Sequence, residues 1–178
     1  MAHPQQKEFV QSVKDKFPLS FLYSRVLEIG SYNINGTVRD FFEHCNYTGV
    51  DVSEGAGVDV ISKGHEYKSN KKFDVAISCE CFEHDPYWKL TFNNMFNHLR
   101  HGGLLLFTCA STGRPEHGTI NTRPQDSLSS GIEEMGNYYG NLDENDFEDT
   151  FMLPEMFSEY HFAYNSFSCD LYFYGIKK

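Results

Sequence analysis

The chain has 178 residues, 40% hydrophobic and 16% aromatic, enough for one domain with a real core. A net charge of −10, with no Lys/Arg cluster to offset it locally, argues against nucleic acid or an anionic membrane as partner. No apolar run reaches the length of a membrane span, and the start MAHPQQKEFVQ lacks the layout of a signal peptide, so a cytoplasmic protein is expected.

Residues 1–24 hold Phe9, Val10, Val13 and Phe17 on one helical face, closed by Pro18, and read as a short covering helix. The β-branched run Val26-Leu27-Glu28-Ile29 then stops at Gly30, as a buried parallel strand does on entering a turn. Val38, Phe41, Phe42 and Cys45 follow at the spacing of a helix with one buried face, and a second strand, Tyr47 to Val50, ends in Asp51. An acid at that strand end, about twenty residues after the glycine, can accept both hydroxyls of a ribose, so an adenosine-containing ligand is expected.

A third short strand spans Val58 to Ile61 and a fourth Phe73 to Ser78, running into Cys79-Glu80-Cys81-Phe82-Glu83-His84. Asp85-Pro86 opens a helix carrying Trp88, Phe92, Met95, Phe96 and Leu99, with Gly102-Gly103 expected to close it. His98 and His101, near its end, complement the helix dipole. Leu104 to Thr108 reads as a fifth strand buried on both faces.

Residues 111–141 are rich in Gly, Pro, Ser, Thr and Asn, without an apolar period, and form a long loop region expected on the substrate side. A short acidic helix around Asp143 to Phe151 follows, then a strand pair at Tyr160 to Tyr164 and Leu171 to Gly175. The elements predict one α/β domain over residues 1–178: a Rossmann-like doubly wound sheet, mostly parallel with an antiparallel C-terminal edge strand, helices on both faces. Five cysteines, an odd number, suit free thiols in a reducing compartment. Cys79-Glu-Cys81 matches no common zinc spacing, and no metal is expected.

At Gly30 the dinucleotide fingerprint G-x-G-x-x-G is broken, because Tyr32 and Asn35 stand where its second and third glycines belong. A nicotinamide-dependent oxidoreductase is therefore disfavoured. A ligand with an amino acid in place of the phosphates needs only a tight turn, N–H groups for a carboxylate and an acid near an ammonium, which Glu28, Gly30 and Gly36 can supply.

The ordered set VLEIGS, YTGVDVSEG, GVDVISKGHEY, FDVAISCECFEH and LRHGGLLLFT, over residues 25–110, resembles the class I S-adenosylmethionine-dependent methyltransferases of the type 11 group. GRPEHGT and YYGNLDENDF resemble downstream stretches of members suspected of acting on saccharides or other small molecules. The resemblance implies S-adenosylmethionine as cofactor and a small-molecule or saccharide acceptor. It also implies that Glu28, Ile29, Gly30, Ser31 and Tyr32, with Gly36, surround the methionine part, that Asp51 holds the ribose and that Val52 packs on adenine. Lys63, Gly64 and His65 fall where relatives often read the adenine amino group, although Lys63 cannot accept a hydrogen bond. Ser78, Cys79 and Glu80 would line the cleft near the sulfonium.

Each residue has a plainer reading beside this one: Asp51 as a solvated turn acid, Glu28 as an acid satisfied by backbone N–H groups, Glu83 and His84 as a loop cap. If the acceptor is a hydroxyl, a histidine base would serve, and His84 and His117 are the candidates. A protein that binds the cofactor without chemistry is the alternative class.

Overall fold

The computed structural model describes residues 3–178. Seven strands form one sheet: β1 (Arg25–Ile29), β2 (Asn46–Asp51), β3 (Val60–Ile61), β4 (Phe73–Cys79), β5 (Leu99–Ala110), β6 (Phe157–Asn165) and β7 (Asp170–Lys177). Their order across the sheet is β3-β2-β1-β4-β5-β7-β6. The first five run parallel, and β7 enters antiparallel between β5 and β6. The order reverses between β1 and β4, so a crevice opens at the carboxyl ends of these two strands.

Alternation along the central strands divides the core. Val26, Val75, Ile77, Leu104 and Leu106 face α1 (Pro4–Lys16), which buries Phe9, Val10 and Val13 against them. Their neighbours Leu27, Ile29, Ala76, Leu105 and Phe107 face α2 (Trp88–His98) and the short α3 (Glu144–Glu148) and α4 (Leu153–Met156), which contribute Phe92, Met95, Phe147 and Leu153. α3 begins with a capping box: the Asp143 carboxylate accepts from the backbone of Asn145 and Asp146, and the Asp146 carboxylate accepts from the backbone of Asp143.

Four expectations need correction. The segment after β1 forms a single 3-10 turn, Arg39–Phe41, and no amphipathic helix. Gly36 (φ 140°) and His44 (φ 55°) bracket it with left-handed backbone, leaving room for about two turns, too few to repay helix nucleation. Its apolar residues pack on the core all the same, Val38 buried within it and Phe41, Phe42 and Cys45 half-buried against it, with Phe42 stacked on Phe21 at 4.5 Å. α2 starts at Trp88, two residues beyond Pro86, because the Asp85 carboxylate first gathers the Tyr87 N–H and the Thr91 hydroxyl. It ends at His98: Leu99 turns extended and pairs with Phe73, so Gly102 and Gly103 lie within an irregular stretch of β5. β3 has two residues, not four.

Candidate active site

A cleft opens where β1, β2 and β4 end. Gly30 sits at its floor with φ 79°, and a Cβ there would lie 2.6 Å from the Cys81 Cβ, so only glycine lets the strand turn beside the β4 loop. The Gly30 and Ser31 N–H groups both donate to the Val50 carbonyl, at 2.9 and 3.2 Å, folding the loop onto the end of β2. There Asp51 takes one backbone N–H on each carboxylate oxygen, from Tyr32 at 2.9 Å and Val52 at 2.8 Å. Each oxygen keeps a lone pair, and the carboxylate borders the cleft. Burial raises its pKa, while those two hydrogen bonds oppose the rise.

The cleft is lined by Glu28, Ile29, Gly30, Ser31, Tyr32 and Gly36 from the first loop, by Asp51 and Val52 from β2, and by Gly64. Cys79, Glu80 and His84 line it from β4 and beyond. Lys63, His65, Ser78 and His117 are not among its lining residues. Lys63 is paired with Glu134. The His65 ring lies 4.4 Å from that of Tyr87. Ser78 is wholly buried in β4, between Ile29 of β1 and Phe107 of β5, and its hydroxyl has no partner. The Glu28 carboxylate accepts from the Tyr47 hydroxyl at 2.9 Å, and burial pushes its pKa up to about 7.

Sequence reasoning missed several lining residues: Gln6, Asp85, Ser127, Ser129 and Met135 among them. Gln6 carried a signal, since it shares the helical stripe of Phe9, Val10 and Val13 and is a polar residue on an apolar face. Its side chain donates to Thr108 at 3.3 Å, and the Thr108 hydroxyl donates to Glu80 at 2.9 Å. Glu80 has φ 53° and anchors a buried ionic cluster at the end of β4. The His3 ring is 3.1 Å from Asp170 and 3.8 Å from Glu80, and the Arg114 guanidinium is 2.7 Å from Asp170 and 3.8 Å from Glu80.

Burial works against both charges, yet the acids facing His3, Asp170 first and then Glu80, raise it to about 9, and the positive charge beside Glu80, His3 first, holds that acid down near 2. The depressed acid contributes stability above its ordinary 4.5 that disappears as pH falls toward 2, and the raised base contributes stability below its ordinary 6.5 that disappears as pH rises through 9. Replacing His3 by Gln should therefore lower Tm most between pH 4.5 and 6.5, with the gap to the wild type narrowing toward pH 9. A gap that does not vary with pH would reduce His3 to its other role, accepting from the Gln6 N–H as the cap of α1.

The second histidine cluster lies past β4. Glu83 and His84 sit on a 3-10 turn, Phe82–His84. The His84 ring centroid is 5.0 Å from that of His117 and 5.6 Å from that of Tyr139. Burial, then the neighbouring His117, drives His84 down to about 3, and burial lowers His117 as well, so both imidazoles are neutral near pH 7. Burial and the Glu80 charge push Glu83 up to about 8.

The strand order, with its β1/β4 switch, and the glycine–acid pair at the ends of β1 and β2 define a Rossmann-like domain of the class that binds a nucleoside cofactor. A model of the methyltransferase domain matches residues 1–136, and the chain belongs to that family, among the class I S-adenosylmethionine-dependent methyltransferases.

Solved structures share the fold. The 1,6-didemethyltoxoflavin-N1-methyltransferase of Burkholderia thailandensis, with bound 1,6-didemethyltoxoflavin and S-adenosylhomocysteine, has 14% identity and a TM-score of 0.64 over 97% of this chain and 78% of that one. The N-methyltransferase NodS of Bradyrhizobium japonicum, in complex with S-adenosylhomocysteine, has 16% identity and a TM-score of 0.58 over 97% and 86%. Phosphoethanolamine N-methyltransferase 2 of Haemonchus contortus has 16% identity and a TM-score of 0.64 over 95% of this chain and 52% of that one. No curated protein matches the chain.

Proposed function

We propose that this protein transfers a methyl group from S-adenosylmethionine to a small-molecule or saccharide acceptor. The observation that carries the reading is Asp51, a carboxylate with spare lone pairs at the end of β2, facing the tight Gly30 turn across one cleft. The residues fit the cofactor: Asp51 would take the ribose hydroxyls, the loop from Gly30 to Tyr32 would surround the methionine part, and Val52 would pack on adenine. The unpartnered, buried Ser31 hydroxyl is a polar group that a ligand in this cleft could satisfy. When bound, the cofactor supplies an electrophilic methyl carbon on a sulfonium.

The protein's share is alignment and exclusion of water. Loop residues 126–129 and Met135 border the cleft, as does α1 through Gln6, and together they would shield the reacting atoms from solvent. His84, which lines the cleft, and His117 beside it are proposed to position the acceptor. Their lowered pKa values make them neutral lone-pair donors and weak proton acceptors, which favours positioning over general-base work. The molecules bound in the neighbours beside the cofactor product, 1,6-didemethyltoxoflavin and phosphomonomethylethanolamine, are small and agree with this class. Among the described residues no helix is long and apolar enough to cross a membrane.

The test is thermal unfolding with S-adenosylmethionine, S-adenosylhomocysteine and NAD in turn. A ligand at a hundred times its Kd stabilises the fold by about 2.7 kcal/mol. Stabilisation by both adenosyl ligands and not by NAD is expected. Silence from both would overturn the cofactor reading, while binding with no acceptor-dependent product would favour a non-catalytic binding protein.

A further inference from the structure

Glu83, His84 and His117 form a group that cofactor binding does not use. One ligand-capable atom from each lies within 4.8 Å of those of the other two. The turn that carries Glu83 and His84 is packed from both sides. Gly118 (φ 64°) brings the 117 loop so close that a Cβ there would lie 2.7 Å from the His84 Cε1. On the other side the Gly140 N–H donates to the Glu83 carbonyl at 2.9 Å.

Among the described residues neither carboxylate oxygen of Glu83 has a hydrogen-bond partner, and the residue is 0% exposed. Such a group is costly unless something pairs with it. Among the described residues the nearby cations Arg114 and His3 are already engaged by Glu80 and Asp170. The His84 Nδ1 is likewise buried without a partner. His117 Nδ1 lies 3.1 Å from the Pro115 carbonyl; donation of its N–H there leaves Nε2 with a free lone pair, the arrangement that orients a metal-binding imidazole.

Two imidazoles and one carboxylate suit a late divalent transition ion, whereas magnesium and calcium prefer oxygen donors throughout. We propose that Glu83, His84 and His117 bind one divalent transition-metal ion, zinc among the common ones, with a coordination position left open beside the cofactor cleft. Nitrogen and oxygen ligands of tetrahedral zinc stand about 3.3 Å apart, so the three groups must draw in by up to about 1.5 Å. His117, the half-exposed member, is the one free to supply that movement. His84 also lines the cleft, so the open position would hold an oxygen or nitrogen of the acceptor. That use of the ion rests on the methyltransferase reading; its binding does not.

The experiment strips the full chain with a chelator, then titrates it with zinc chloride by calorimetry and with cobalt(II) by visible absorption. The wild type is expected to take up one zinc per chain at this site and to show the intense bands of four-coordinate cobalt. His117→Ala should abolish those bands and weaken that zinc event at least about tenfold. This variant alters a half-exposed side chain and leaves all five cysteines in place, so zinc held by thiols does not change. Glu83→Gln is the second variant; because its buried position puts the fold at risk, it is used only if its Tm stays near the wild type. Equal zinc affinity in wild type and His117→Ala, or only the pale spectrum of hydrated cobalt, overturns the proposal. S-adenosylhomocysteine binding is measured on the same samples: if it persists while zinc binding shows no His117 dependence, the metal site alone fails, and if it is absent while the zinc result stands, the cofactor reading alone fails.

Discussion

Replacing Asp51 by Ala should weaken S-adenosylhomocysteine binding by about a hundredfold or more. A hydrogen bond to a charged group contributes about 1.5 to 3 kcal/mol, and a ribose diol offers two hydroxyls to this carboxylate. Two bonds at the lower figure amount to about 3 kcal/mol, a little over two decades in Kd. The substitution also removes the acceptor of the Tyr32 and Val52 N–H groups, so part of the loss is loop order. Asp51→Asn separates the two contributions, since its remaining oxygen can still accept from one N–H while one ribose hydroxyl loses its acceptor. An intermediate loss is expected for Asn, measured by calorimetric titration with Tm as the check on folding. If Asp51→Ala bound within about threefold of the wild type, Asp51 would be a turn acid and no more.

Replacing Phe107 by Ala should cost about 3 to 5 kcal/mol of stability, the usual range for truncating a buried aromatic. Phe107 is 0% exposed on β5, with its ring 4.7 Å from that of Phe147 and 5.1 Å from those of Phe82 and Phe173. These rings come from β5, α3, the turn before α2 and β7, so one cavity would be felt by four separate elements. The neighbours are themselves rigid aromatics and cannot collapse cheaply into the space, which points to the upper part of the range. Urea unfolding followed by fluorescence gives the number. A loss below about 1 kcal/mol would mean that the aromatic cluster does not form the tight core described.

β1, β2 and β4 were legible because each is a short, largely apolar run ending at Gly30, Asp51 or Cys79, and the cleft residues at those ends followed from their place in the unit. The turn after β1 was not legible: Val38, Phe41, Phe42 and Cys45 satisfy a helical spacing, but the spacing says nothing of the left-handed backbone at Gly36 and His44 that cuts the segment short. Lys63 shows another limit. Its position in the chain suggested the adenine end of the site, whereas its side chain is drawn away to Glu134, a partner 71 residues distant. The loop over residues 111–141 was legible as a region only. Without an apolar period, nothing singled out Ser127, Ser129 or Met135 as the residues that reach the cleft. The ionic cluster joins His3, Glu80, Arg114 and Asp170, and no local pattern links residues so far apart along the chain.

The position of β7 between β5 and β6 bears on how the chain is made. In the sheet β6 has no neighbour other than β7, although it precedes β7 in the chain. As the chain leaves the ribosome, β1 to β5 can pair in the order in which they appear, while β6 emerges with no edge to join. It must wait as a strand with unpaired backbone and exposed aromatic residues until β7 follows and both dock onto β5 together. Assembly of this edge is therefore a single late event. Asp170, the first residue of β7, arrives in that same event and completes the ion pairs with His3 and Arg114, so the ionic cluster around the cleft residue Glu80 is finished only when the sheet is.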